Sequence, residues 1–163
     1  MQKISRHKTR DCLFQALYSK IYLQDSFLKE SFLDNFFEGN LGFLDQVYFE
    51  EMFSGIIEKE GKLVYVIEKF APKFDISSMS VINIIPVLIA SYEMLYLKCD
   101  KVPENVSINE ALELVKFYSD PQGRIFINGV LNSLKQNKTE VKKELTKITN
   151  KNLFFNNYDQ KKS

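Results

Sequence analysis

An all-α fold, one compact bundle of about seven helices, is what this sequence predicts. Three observations lead there. Apolar residues recur at three- and four-residue steps along most of the chain, the period of a helix with one buried face. No segment keeps the strict apolar–polar alternation of a half-buried strand. The run "VINIIPVLIA", residues 81–90, is nearly apolar all round, which marks a helix at the buried centre of a bundle.

The first helix is expected over Ser5–Leu23, with Ser5 as its N-cap and Leu13, Ala16, Leu17 and Ile21 on its apolar side. A short second helix spans Phe27–Phe37 and is stopped by the glycines of "EGNLG". The third, Leu44–Glu60, places Val47, Tyr48, Met52, Gly55 and Ile56 near one face. Gly61 punctuates it, and Lys62–Phe70 forms a fourth helix before Pro72. Met79–Lys98 is the central helix. Pro86 removes one backbone donor inside it, so a kink or a late start is expected there. "DKVPEN" is a turn. The next helix opens on a capping box of Ser107 and Glu110, with Asn109 beside them at the helix start. "SDPQG" breaks that helix, and "RIFINGVLNSLKQ" is the last core helix. Gly129 sits inside it at a cost of up to about 1 kcal/mol relative to Ala. Close approach of a neighbouring helix is the expected reason, with Asn128 bonding a helix end. "KTEVKKELTKI" extends this helix or forms one of its own.

With 163 residues, 45% apolar and 26% charged, the chain fits one soluble globular domain with a real core. That core is rich in Phe, of which there are 14, and holds no Trp. Cys12 and Cys99 show no C-x-x-C pattern and read as two reduced, buried thiols in a cytoplasmic protein. The longest uncharged run, Ile76–Tyr92, has 17 residues and is interrupted by Asn83, Pro86 and serines, so no membrane span is expected. The basic N-terminal head runs into an amphipathic stretch with Asp11 and Gln15, which does not fit the apolar region of a secretory signal.

The net charge of +1 hides a segregation. Residues 1–10 hold four cations and no acid, residues 11–134 hold 10 cations and 18 acids, and residues 135–163 hold 8 cations and 3 acids. An acidic body between a basic head and a basic tail points to a polyanion, with nucleic acid the leading class. For the Lys/Asn-rich tail, the competing reading is a solvated, disordered end.

No catalytic constellation stands out. One histidine cannot make a His cluster for a metal. His7 and Cys12 are five apart on a helix and do not face each other. P-loop, G-x-S-x-G and G-x-G-x-x-G patterns are missing. Glu93 and Glu110 read as a helix-end or packing partner and a cap, not as an acid–base pair. The chain is therefore expected not to be an enzyme and to need no cofactor.

The three arginines direct attention elsewhere. Arg6 and Arg10 are four apart, and steps of four continue to Phe14, Tyr18 and Tyr22, flanked by Lys3, His7 and Lys8. Guanidinium groups followed by aromatics can neutralise phosphates and stack on splayed bases, as single-stranded RNA binding requires. The alternative is that Phe14 and Tyr18 are core and the head is solvated. Arg124, beside Phe126 at the start of the last core helix, repeats the pairing. If the two helix starts meet, all three arginines share a surface.

At this point the motifs resemble a known family. "SRHKTRDCLFQALYS" resembles the opening of the NusB family of bacterial transcription antitermination factors. "VYFEEMFSGI" is similar to its Y-F-x-x-L-x-x-G-V pattern, and "LIASYEML" to its A-L-Y-E helix. "VSINEALELVKFY" followed by "RIFINGVL" is similar to its I-N-E-A-x-E-L-A and K-F-V-N-G-V-L pair. The blocks occur in family order over residues 3 to about 136. The resemblance implies a helical, non-enzymatic protein that binds the boxA element of nascent ribosomal RNA with a NusE-type small-subunit ribosomal protein. It further implies assembly with RNA polymerase and other Nus factors. Carried onto this chain, the family's RNA surface points to Arg6, His7, Lys8 and Arg10 in the head, to Tyr18, and to Arg124 with Phe126; Lys3 joins these RNA-binding candidates as a flanking cation. Residues 1–137 would form the RNA-binding domain and residues 138–163 a basic tail, partly helical or disordered.

Some positions depart from the pattern. His7 stands where an arginine is common and adds charge only when protonated. Ile125 occupies the usual Lys of K-F-V-N-G. "DPQG" replaces an acidic-serine turn, and "IIPVLIA" lacks the basic residue usual before A-L-Y-E. Two other readings compete: a NusB-like interaction module, which could be homodimeric, without boxA binding, and the NusB-like module of a ribosomal RNA methyltransferase. Length and the absence of a following β–α unit disfavour the methyltransferase reading.

Overall fold

The computed structural model describes residues 3–149 and 154–155. Their helices are α1 (Arg6–Leu23), α2 (Lys29–Phe36), α3 (Gln46–Glu58), α4 (Glu60–Phe70), α5 (Val81–Leu95), α6 (Glu104–Leu114), α7 (Pro121–Gln136) and α8 (Lys138–Leu145). The fold is all-α, and no strand occurs among the described residues. None of the described helices is long and apolar enough to cross a membrane.

The nearly all-apolar α5 is central. It packs against α1, α3, α4, α6 and α7. From Ile84 to Leu95 every residue of it is buried. Pro86 lies within α5 rather than at its start, because Ser80 caps the helix through the amide of Ile82 at 3.3 Å. Gly55 lets α3 approach α5 closely, since a Cβ there would collide with the ring of Tyr92.

Several local expectations are corrected. Val47 is 69% exposed and lies off the buried face of α3. Gly61 lies inside α4, which starts at Glu60 after a single non-helical residue, Lys59. The Ser107–Glu110 box does not cap α6. That helix starts at Glu104 behind Pro103, which places Ser107 and Asn109 inside it and leaves the Ser107 hydroxyl to bond elsewhere. Asp120 caps α7 instead, accepting from the amide of Gly123 at 2.7 Å, with Pro121 as its first residue. Gly129 faces open space, so no helix approach explains it. Asn128 accepts from the Asn132 side chain within the same helix, at 2.8 and 2.9 Å, instead of capping an end. Cys12 is buried, but Cys99 is exposed.

The "KTEVKKEL" segment forms its own helix, α8, separated from α7 by Asn137. Val141 and Leu145 are buried beneath it. Phe154 and Phe155 are also buried, and both of their amides donate to the carboxylate of Glu60, itself 1% exposed. The remaining tail residues, 150–153 and 156–163, lie outside the described residues.

Candidate nucleic-acid interface

The start of α1 is anchored by its own capping chemistry. Ser5 Oγ accepts from the Lys8 amide at 3.1 Å, and the Ser5 amide donates to the Phe43 carbonyl at 2.9 Å. Thr9 Oγ1 accepts from the amide of Asp45 at 2.9 Å, joining α1 to the N-cap of α3. Arg6 reaches across this junction. Its Nη2 and Nε meet Asp45 at 2.8 and 3.0 Å, and its Nη1 meets Asp100 at 3.2 Å. Its guanidinium lies 4.2 Å from the centroid of the Tyr48 ring, a cation–π arrangement. Glu51 fixes the loop that carries Asp100 by accepting from the amides of Lys98 and Cys99 at 2.8 and 2.9 Å. Burial alone pushes the Glu51 carboxyl up, but these two amides, with the Cys99 and Tyr92 side chains, hold it below the ordinary carboxylate value.

Arg10 is not on the surface. Its side chain is 4% exposed, and its Nε and Nη2 donate to the Glu93 carboxylate at 2.9 and 3.2 Å. Glu93 also accepts from the hydroxyl of Tyr48 and from Ser107 Oγ, the latter at 2.7 Å. One buried carboxylate thus ties together α1, α3, α5 and α6. This is why Ser107 sits inside α6: its hydroxyl fills a coordination place of Glu93. Burial, followed by the Glu93 charge, raises the Tyr48 phenol well above its usual value, so Tyr48 acts here as a neutral donor.

The row Arg6–Arg10–Phe14–Tyr18–Tyr22 therefore does not form one exposed stripe. A step of four advances about 400° at about 3.6 residues per turn, so such a row drifts about 40° per step. It begins half-exposed at Arg6, passes under the protein at Arg10 and Phe14, and emerges at Tyr18 and Tyr22. His7 is the head residue in line with Tyr18, because 11 residues bring the helix back to within about 20°. His7 is exposed, and its Nδ1 lies 3.0 Å from Glu110. Lys3 and Lys8 are exposed, and the Lys8 ammonium sits 4.3 Å from the Phe43 ring centroid. The exposed face of α1 thus carries His7 and Lys8 at one end and the paired rings of Tyr18 and Tyr22, 4.8 Å apart, at the other, while half-exposed Arg6 lies about 120° round from Tyr18, against the start of α3.

The second pairing separates as well. Positions two apart on a helix point about 200° apart, so Arg124 and Phe126 face different ways. Phe126 is buried with Phe74 at 5.3 Å, and Arg124 folds back to donate to the Ser119 carbonyl at 2.8 Å. The partners of Arg124 differ from those of Arg6 and Arg10. The loop before α7 instead meets the middle of α1. Tyr118, Tyr18, Phe14, Gln15 and Ser19 line a groove of about 270 Å³ with Ile82. Phe117 and Tyr118 are 84% and 65% exposed. Tyr118 had no signal in the sequence beyond its loop position; Glu93 had one, as the acid ending an uncharged run.

Burial pushes the Cys12 thiol up to about 12, which leaves no thiolate there near neutral pH. Among the described residues no three His, Cys, Asp or Glu side chains are placed to hold a metal ion.

Comparison with known proteins gives a consistent picture. A match described as the NusB family covers residues 7–136. The chain is 35% identical over 136 residues to the transcription antitermination protein NusB of Clostridium perfringens, covering 82% of this chain and 98% of that protein. It is 31% identical over 133 residues to the protein of the same name from Clostridium botulinum, covering 82% and 96%. Against the Bacillus cereus protein the identity is 30% over 135 residues, covering 81% and 98%. No solved structure matches the chain.

Proposed function

Since this chain belongs to the NusB family, we propose that it is an RNA-binding transcription antitermination factor. It takes the boxA element of nascent ribosomal RNA together with a NusE-type ribosomal protein, within an RNA polymerase complex that holds other Nus factors. The observation that carries this reading is the exposed face of α1: exposed His7 and Lys8 at its start, with half-exposed Arg6 at its edge, then Tyr18 and Tyr22 beside the Tyr118 groove. From His7 to Tyr18 the helix advances about 16 Å. Phosphates meet the cationic end, and unpaired bases stack on the aromatic end. Arg10 and Phe126 serve as positioning residues. Arg10 locks the start of α1 through Glu93, and Phe126 seats α7. Lys3, exposed just before α1, adds a cation to this end. No catalytic step is assigned to any residue, and the site of action is the cytoplasm, where transcription takes place.

A gel shift with boxA-type RNA, with and without the ribosomal protein, tests the reading. A shift that the ribosomal protein strengthens is expected. No shift in either lane would favour an interaction module that does not bind boxA.

A further inference from the structure

The family match ends at residue 136, and α8 spans Lys138–Leu145, just beyond it. This helix is fixed on the body rather than loosely attached. Val141 and Leu145 are buried. Glu144 accepts from the Tyr65 hydroxyl at 2.6 Å and from Lys69 at 2.9 Å, and Lys138 pairs with Glu104 at 3.5 Å. These contacts set the rotation of α8 and so determine which lysines it presents.

Two of them, Lys138 and Lys142, face the loop between α5 and α6. Together with Asp100, Lys101, Pro103 and Glu104 they line a cleft of about 450 Å³. Asp100 is the residue on which Arg6 rests, so this cleft begins where the cationic head ends. Its three acids are already matched, Asp100 by Arg6, half-buried Glu104 by Lys138 and buried Glu93 by Arg10. Lys101 and Lys142 are exposed and have no acidic partner among the described residues. Lys143 and Lys147 add exposed charge further along the chain. The cleft therefore presents two unmatched ammonium groups next to the head, on an acidic body that elsewhere repels polyanions.

We infer that α8 extends the RNA surface: the cleft between α8 and the α5–α6 loop takes the sugar-phosphate backbone of single-stranded RNA leaving the head, with Lys101 and Lys142 each meeting a phosphate. This rests on the RNA-binding reading above. The contact is to backbone and reads no sequence.

The test uses the full chain and two probes, boxA-type RNA alone and the same RNA extended at both ends by uridine tracts. Affinity is followed against salt for wild type, for Lys101→Gln with Lys142→Gln, and for Lys8→Gln. Each lost phosphate contact lowers the salt slope by about 0.7, so the double variant loses about 1.4, a roughly 25-fold weaker affinity at about 0.1 M salt. The loss appears on the extended RNA, and arginine at both positions restores it. A double variant with wild-type slope and affinity on the extended RNA, while Lys8→Gln is weakened, overturns the α8 surface and leaves the head site standing. No binding of either RNA by wild type overturns both.

Discussion

Replacing Arg10 separates the two roles that its position in the sequence allows. With its side chain 4% exposed and Glu93 at 1%, the pair is a buried one. Arg10→Met keeps the apolar stem but removes the cation. The Glu93 carboxylate is then left buried with only the hydroxyls of Tyr48 and Ser107 as donors. Breaking one side of a buried pair costs about 3–5 kcal/mol. With a urea slope of about 2 kcal/mol/M for a chain of this size, the unfolding midpoint falls by about 1.5–2.5 M. Adding Glu93→Gln removes the uncompensated charge, so the double variant recovers much of the loss, and the cycle yields a coupling of the sign expected for contacting groups. Urea unfolding followed by far-ultraviolet circular dichroism measures all four proteins. A single variant as stable as wild type that has lost RNA binding would refute the reasoning. It would mean that the guanidinium meets RNA and not Glu93.

Other consequences concern packing. Phe155→Ala removes a ring that is fully buried. It is expected to cost about 3–5 kcal/mol. In a chain of this length that lowers the melting temperature by about 6–20 °C in calorimetry. Ending the chain at Thr149 also removes the amides bound by Glu60 and destabilises the protein further. The glycines diverge in sign. Gly55→Ala forces a Cβ into the Tyr92 ring and costs about 1–3 kcal/mol, whereas Gly129→Ala, facing open space, gains up to about 1 kcal/mol. Matching urea midpoints for the two variants would contradict the close approach of α3 and α5.

Helical period and apolar content made the bundle and its central helix legible, because both follow from burial that repeats along the chain. Ser5 and the glycines after α2 were legible because caps and left-handed positions use few residue types; Gly39 has φ +78°. What the sequence hid depends on contacts between distant residues. S-x-x-E at Ser107 matches a capping box, but Glu93 claims the hydroxyl and Pro103 starts the helix a turn earlier. A row of fours looks like a stripe over two turns, yet its drift carries Arg10 and Phe14 underneath. Phe154 and Phe155 lie in a polar tail with no period, and distant residues give them a place: Glu60 accepts from their amides and Gln24 donates to the Phe154 carbonyl. At the candidate site the sequence marked the exposed head and Tyr18, but not Asp45, Asp100 or Tyr118, which come from other elements and join α1 only in the fold.

The central claim is that the exposed face of α1 binds RNA. The most direct measurement is the affinity of the full chain for boxA-type RNA as a function of salt, for wild type and for Lys3→Gln with Lys8→Gln. Both residues are exposed, so unfolding midpoints should not move. Tight binding by wild type is expected, with a salt slope lower by about 1.4 in the variant, two phosphate contacts at about 0.7 each. An unchanged slope and affinity in an equally stable variant would contradict it.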